Sequence, residues 1–176
     1  MKEIFSLKNR TCGFIAQHFW ELPHDSDQKS ELEGFYKCRL KAAFLPLIEE
    51  RGVRHFAVSV ERGLPLEAIE AILELRKEHP ITLECVIPYE EQHIAWPEDE
   101  RERYFDLIGH CDKESMIQSS FSLLCYQRSI KYLLSCCEHL IVVWNGRPSD
   151  AEAAIHLARQ KKCQVSILDP AEWQAP

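Results

Sequence analysis

The sequence predicts a single α/β domain over residues 1–176, with a mainly parallel sheet as the middle of three layers and helices on both faces. Three observations carry this. Short, β-rich apolar runs alternate with helical stretches along the chain. The helical stretches are long enough to serve as crossovers, which parallel strands require. No internal repeat, low-complexity tract or linker divides the 176 residues, a length that one core can serve.

The first strand is Thr11–Ala16 (TCGFIA), followed by the polar loop PHDSDQK. Ser30 starts a long helix, and Glu33 three residues on completes a capping box. Leu32, Phe35, Tyr36, Leu40, Ala43, Phe44, Leu47 and Ile48 recur at helical spacing, and Gly52 closes the helix. Arg54–Val60 (RHFAVSV) is the second strand. Gly63 turns the chain and Pro65 suits a first helical position, with Leu66, Ile69, Ile72, Leu73 and Leu75 as the buried face up to His79. Ile81–Pro88 is a third strand, stopped by proline. Residues 89–96 read as a loop, and Pro97 opens a helix that runs to Cys111. A short strand at 113–119 and a helix around 123–137 follow. The chain then continues as strand His139–Trp144, helix Ser149–Lys161 and strand Cys163–Leu168. Sheets of this kind bind ligands outside the carboxyl ends of their strands. The loops after Ala16, Val60, Ile87 and Trp144 are therefore where a site is expected.

Composition narrows the function classes. Apolar residues at 45% and charged residues at 28% are ordinary for a soluble globular chain. A net charge of -7 with no strongly basic segment argues against a nucleic-acid partner. No apolar run approaches the roughly 20 residues of a membrane span, so no membrane association is expected. The start, MKEIFSLKNRTCGF, lacks the apolar core and cleavage site of a signal peptide, so a cytoplasmic location is expected. Thiols stay reduced there. The eight cysteines form no CxxC pair and most lie in apolar runs, which reads as cysteine used as a small hydrophobe. Cys12, beside Gly13, is read the same way, as a buried thiol rather than a nucleophile. The eight histidines are scattered. Neither a metal nor a cofactor is expected.

Three stretches carry a resemblance. VIPYEEQHIAWPEDERERYFDLI, YQRSIKYLLSCCEHLIVVWNGRPS and AIHLARQKKCQVSILDP resemble the YpsA-like family of the SLOG superfamily. That superfamily of Rossmann-like domains also contains DprA and the LOG (lysine-decarboxylase-like) proteins. The similarity runs from about Arg54 to Pro170, with a weaker match at the first strand. It implies a Rossmann-like domain with a pocket for a nucleotide or a nucleotide-derived small molecule. LOG-type relatives are phosphoribohydrolases that release a base.

The chain departs from the family pattern at several places. Where the family has a Ser-Gly-Gly-like turn and a later Gly-x-Asp, this chain keeps Ser59 and Gly63 but has Val60, Glu61 and Pro65. The Gly-Gly-Thr turn after the fifth strand is Ser149, Asp150 and Ala151, and the LOG-type glutamate is replaced by Ala154. Ser129 follows Arg128 where Asn is usual, and Phe14 follows Gly13 where a basic residue is usual.

The candidate ligand-binding residues follow from these matches and loop positions. Gly13, Ser59, Gly63 and Ser149 are the retained or corresponding turn positions. Arg62, Arg128 and Arg147 can offer a guanidinium fork to a carboxylate or phosphate; otherwise they are solvated or pair with Glu61, Asp150 and Glu152. Tyr89, Gln92 and Trp96 can stack on and hydrogen-bond a base, unless Trp96 packing merely pins that loop. Asn145 and Gly146 are turn formers that can contact a ligand. No residue is assigned a catalytic role.

The turn at 149–152 decides between functions. Ser149 can cap the N–H of Glu152, whose carboxylate can reach back, each cap being worth on the order of 1 kcal/mol. Asp150 and Glu152 add negative charge at the helix start. At ~4 Å and an effective dielectric of ~20, a carboxylate repels a phosphate charge by about 4 kcal/mol. A conventional phosphate cradle is therefore not expected. The leading expectation is a domain that binds a nucleotide-derived ligand for sensing, without LOG-type catalysis. The alternatives are an N-glycosidase acting on nucleotides and a non-binding scaffold for protein interaction.

Overall fold

The computed structural model describes residues 10–18 and 29–173. The strands are β1 (Thr11–Ala16), β2 (His55–Ser59), β3 (Thr82–Ile87), β4 (Lys113–Met116), β5 (His139–Val143) and β6 (Gln164–Leu168). The helices are α1 (Lys29–Glu49), α2 (Leu64–Leu75), α3 (Glu98–Ile108), α4 (Cys125–Cys136) and α5 (Asp150–Gln160). The sheet order is β4-β3-β2-β1-β5-β6, and all five neighbouring pairs are parallel.

Alternation along the inner strands builds two cores, because successive side chains leave a strand on opposite faces. Cys12 and Phe14, Phe56 and Val58, Leu83 and Cys85, and Ile141 and Val143 form one core with residues of α1, α2 and α3. Phe44 meets Phe14 and Phe56 edge-on there, at 5.8 and 5.3 Å between ring centroids. Ile15, Ala57, Val86, Leu140 and Val142 form the other with Leu133 and Leu134 of α4 and Ala154 and Ile155 of α5. Burial on both faces is why these strands read as unbroken apolar runs. The edge strand β4 carries Lys113 and Glu114, both exposed.

Most elements fall where the sequence predicts them, with ends shifted by one to four residues. Residues 89–96, expected as a loop, contain a 3-10 helix over Glu90–Ala95. The amide of Glu90 donates to the carbonyls of Gln118 and Ser119, both at 3.2 Å. That anchor lies far along the chain, and six residues are too few to show a helical period. The polar loop before α1 lies largely outside the described residues, as do the side chains of the Ser30–Glu33 capping box. All eight cysteines are free, and Cys12 and Cys85 are buried, which pushes both thiols well above their usual range. Among the described residues no helix is long and apolar enough to cross a membrane. Among the same residues no group of three or more His, Cys, Asp or Glu is placed to hold a metal ion.

Candidate functional site

Strand β1 is central. From it the chain moves outward through β2, β3 and β4, then returns to place β5 on the other side of β1. The loops leaving β1 and β5 therefore diverge, and a crevice opens above their carboxyl ends. Gln17 bridges its floor: its amide donates to Val143 O at 2.9 Å, and its Oε1 accepts from the Asn145 amide at 3.0 Å. The crevice is lined by Ile15, Ala16, Gln17, His18, Glu61, Tyr126, Ile130, Ser149, Asp150 and Ala151. Its cavity measures about 20 Å³. One water needs about 10–15 Å³, so the space fits a single water-sized group.

Its charge is set by two carboxylates around one imidazole. His18 Nδ1 lies 3.0 Å from Glu61 Oε2, and His18 Nε2 lies 3.8 Å from Asp150 Oδ2. Tyr126 meets the imidazole edge-on at 5.2 Å. Burial pushes the Glu61 carboxyl above its usual range. The His18 contact and a Ser59 hydrogen bond pull it back, while Asp150 adds to the rise. The Tyr126 phenol is likewise pushed up, by burial first and then by the Glu61 charge.

The helix start at Ser149 differs from expectation. Ser149 is extended, with φ −165° and ψ 175°, and makes no side-chain cap bond. Its Oγ is buried without a hydrogen-bond partner. The expected capping box with Glu152 is absent, since Glu152 instead lies 4.0 Å from His156, one turn onward. Lack of a cap does not make the turn a phosphate seat. A helix N-terminus attracts an anion by about 0.3–1 kcal/mol, and up to ~2 kcal/mol when partly buried. The Glu61 carboxylate, its side chain only 18% exposed, opposes that with up to about 4 kcal/mol at ~4 Å. Asp150 is 46% exposed, and water screens much of its share.

Few of the residues anticipated for ligand binding line this crevice. Ser149 does, and Ser59 stands just beneath, 2% exposed, with its Oγ 3.0 Å from that of Ser129. Arg62 turns away and forks onto Glu100 of α3, at 2.5 and 2.9 Å, rather than pairing with Glu61. Arg128 donates to Gln118 Oε1 at 2.9 Å, and Arg147 is exposed. Gly63, with φ +84°, is the N-cap of α2. Gly13 lies mid-strand opposite Ala57 and Leu140. Asn145 Oδ1 accepts from the Arg147 amide at 3.0 Å, which closes the turn around Gly146, φ +82°. Gln92 is 3% exposed, and Trp96 packs on the core and against Tyr104 at 5.3 Å. Tyr89 lies edge-on to Phe121 and Tyr126, at 5.4 and 6.4 Å. Gln17, His18 and Tyr126 were not anticipated. The first two directly follow Ala16 at a strand end already expected to face a site, and that position is their only signal in the sequence.

A parallel sheet of this order, with its crevice at the point where strand order reverses, defines a Rossmann-like α/β domain. The family described as YspA SLOG (YpsA) matches residues 21–170, and the chain belongs to it. A UPF0398 protein of Halalkalibacterium halodurans is 28% identical over 151 residues, covering 80% of this chain and 79% of that protein. A UPF0398 protein of Listeria innocua is 31% identical over 83 residues, 47% of this chain and 45% of that one. One of Oceanobacillus iheyensis is 30% identical over 78 residues, 44% and 42% of the two chains.

Proposed function

We propose that this protein binds a nucleotide-derived small molecule in the crevice above β1 and β5, in a sensing role and without LOG-type base release. The observation that carries the reading is the crevice itself, at the switch point, with a buried Ser149 hydroxyl left without a partner in its wall. Buried polar groups are normally paired, so an orphan in a cavity wall is a natural ligand contact. Against catalysis of the LOG type stand Ser149, Asp150 and Ala151 in place of the family's glycine-threonine turn, and Ala154 in place of the glutamate. Calorimetry of the full chain against nucleotides, nucleosides and ADP-ribose tests it. Saturable binding of at least one is expected, and silence from all at millimolar concentration would remove the reading.

Two observations favour other readings. The Glu61–His18 pair at 3.0 Å, with its raised carboxyl, suits a base-releasing hydrolase. Free base appearing from nucleoside monophosphates, above a heat-killed control, would bring that reading forward. The small cavity and the three arginines turned elsewhere suit a scaffold without a ligand, which the same silent calorimetry would favour.

A further inference from the structure

We propose that the floor of the crevice is a hydroxyl subsite: it takes one uncharged O–H of the ligand, such as a ribosyl hydroxyl, against Glu61 and Ser149, and turns a phosphate away. The proposal rests on the nucleotide-derived reading of the crevice. Three independent features point to the same group.

Size is the first. The cavity of about 20 Å³ takes a group no larger than one water. A hydroxyl can replace that water, whereas a tetrahedral phosphate is several times too large. Hydrogen-bonding capacity is the second. A hydroxyl donates one hydrogen bond and accepts others. Donating to the Glu61 carboxylate leaves its lone pairs for the Ser149 hydroxyl, which is buried and without a partner. Charge is the third. Glu61 and Asp150 flank His18, and no guanidinium among Arg62, Arg128 and Arg147 lines the crevice to offset them. A neutral donor gains from that field, and an anion does not.

The test is calorimetry of the full chain with adenosine, 2′-deoxyadenosine, 3′-deoxyadenosine and the adenosine 2′- and 3′-monophosphates, beside the nucleotide and ADP-ribose panel. One deoxy analogue is expected to bind about tenfold or more weakly than adenosine. The monophosphate at that same position should bind weaker still. Ser149→Ala and Glu61→Ala should each bring adenosine and that deoxy analogue level, with melting curves confirming the fold. Should Glu61→Ala not fold, Ser149→Ala decides alone. Equal binding of adenosine and both deoxy analogues would overturn the subsite and leave the broader reading intact. So would a silent adenosine series beside a binding nucleotide panel. Silence from every compound removes the broader reading, and the subsite with it.

Discussion

Two side chains set the character of the crevice. Glu61 is held where its charge is costly, and burial makes it keep a proton to higher pH than a carboxyl in water, whose usual value is 4.5. The groups facing it are His18 after β1, Ser59 at the end of β2, Tyr89 after β3, Tyr126 and Cys125 on α4, and Asp150 on α5. As pH falls, Glu61 loses its negative charge, and any proton gained by His18 moves the field the same way. The affinity for ADP-ribose, whose diphosphate diester keeps its charge across the acid-to-neutral range, is therefore expected to rise relative to that for adenosine as pH falls through that range. Titrations across that range read it directly, and a flat ratio would contradict the charge argument. Ser149 allows a separate check. As a helix cap, its replacement by Ala would cost about 1 kcal/mol. As a buried hydroxyl without a partner, its loss should leave the melting temperature unchanged or raised.

At the scale of elements, the loops are set by close packing as much as by turn chemistry. A Cβ on Gly13 would stand 3.1 Å from both Cys137 Sγ and Leu140 Cδ1. Gly13→Ala is expected to destabilise by about 1–3 kcal/mol through overpacking between β1 and α4, read by denaturant unfolding. Its role is to let β1, β5 and the end of α4 approach. The loop between β2 and α2 sends successive side chains in opposite directions, Glu61 into the crevice and Arg62 out to Glu100. Arg62→Ala should therefore loosen α3 by roughly 0.5–1 kcal/mol, since the pair is partly exposed, without changing ligand affinity. A loss of binding with stability unchanged would place Arg62 in the site after all.

Over the whole molecule, a buried ionic cluster and the crevice occupy opposite ends of the sheet. Glu84, 3% exposed, accepts from Ser115 Oγ and Tyr132 Oη at 2.6 Å each and from Lys113 Nζ at 2.9 Å. His55 Nε2 lies 3.1 Å from its other oxygen. The cluster ties β2, β3, β4 and α4 together at the amino end of the sheet. Burial alone would raise this carboxyl, but its hydrogen-bond partners overcome that and hold it far below the usual 4.5. A depressed folded value means the stabilisation is complete above about pH 4.5 and drains away as pH falls toward the folded value. Glu84→Gln is expected to lower stability at neutral pH by about 2–4 kcal/mol and to flatten its acid dependence, both visible in urea melts at several pH values. The layered architecture and the strand positions were legible in the residues, because burial on two faces writes continuous apolar runs. Gly146 and Gly63 were legible too, since a positive φ leaves few residue choices. What only the tertiary structure decided is which polar groups meet: His18 and Glu61 converge from two loops on Asp150 at the start of α5, Arg62 does not join them, and Ser149 is left uncapped. Periodicity reports whether a side chain faces the core, a property of one element. Partner choice among polar side chains depends on where separate elements end in space, and that is settled only once the sheet has closed its two cores.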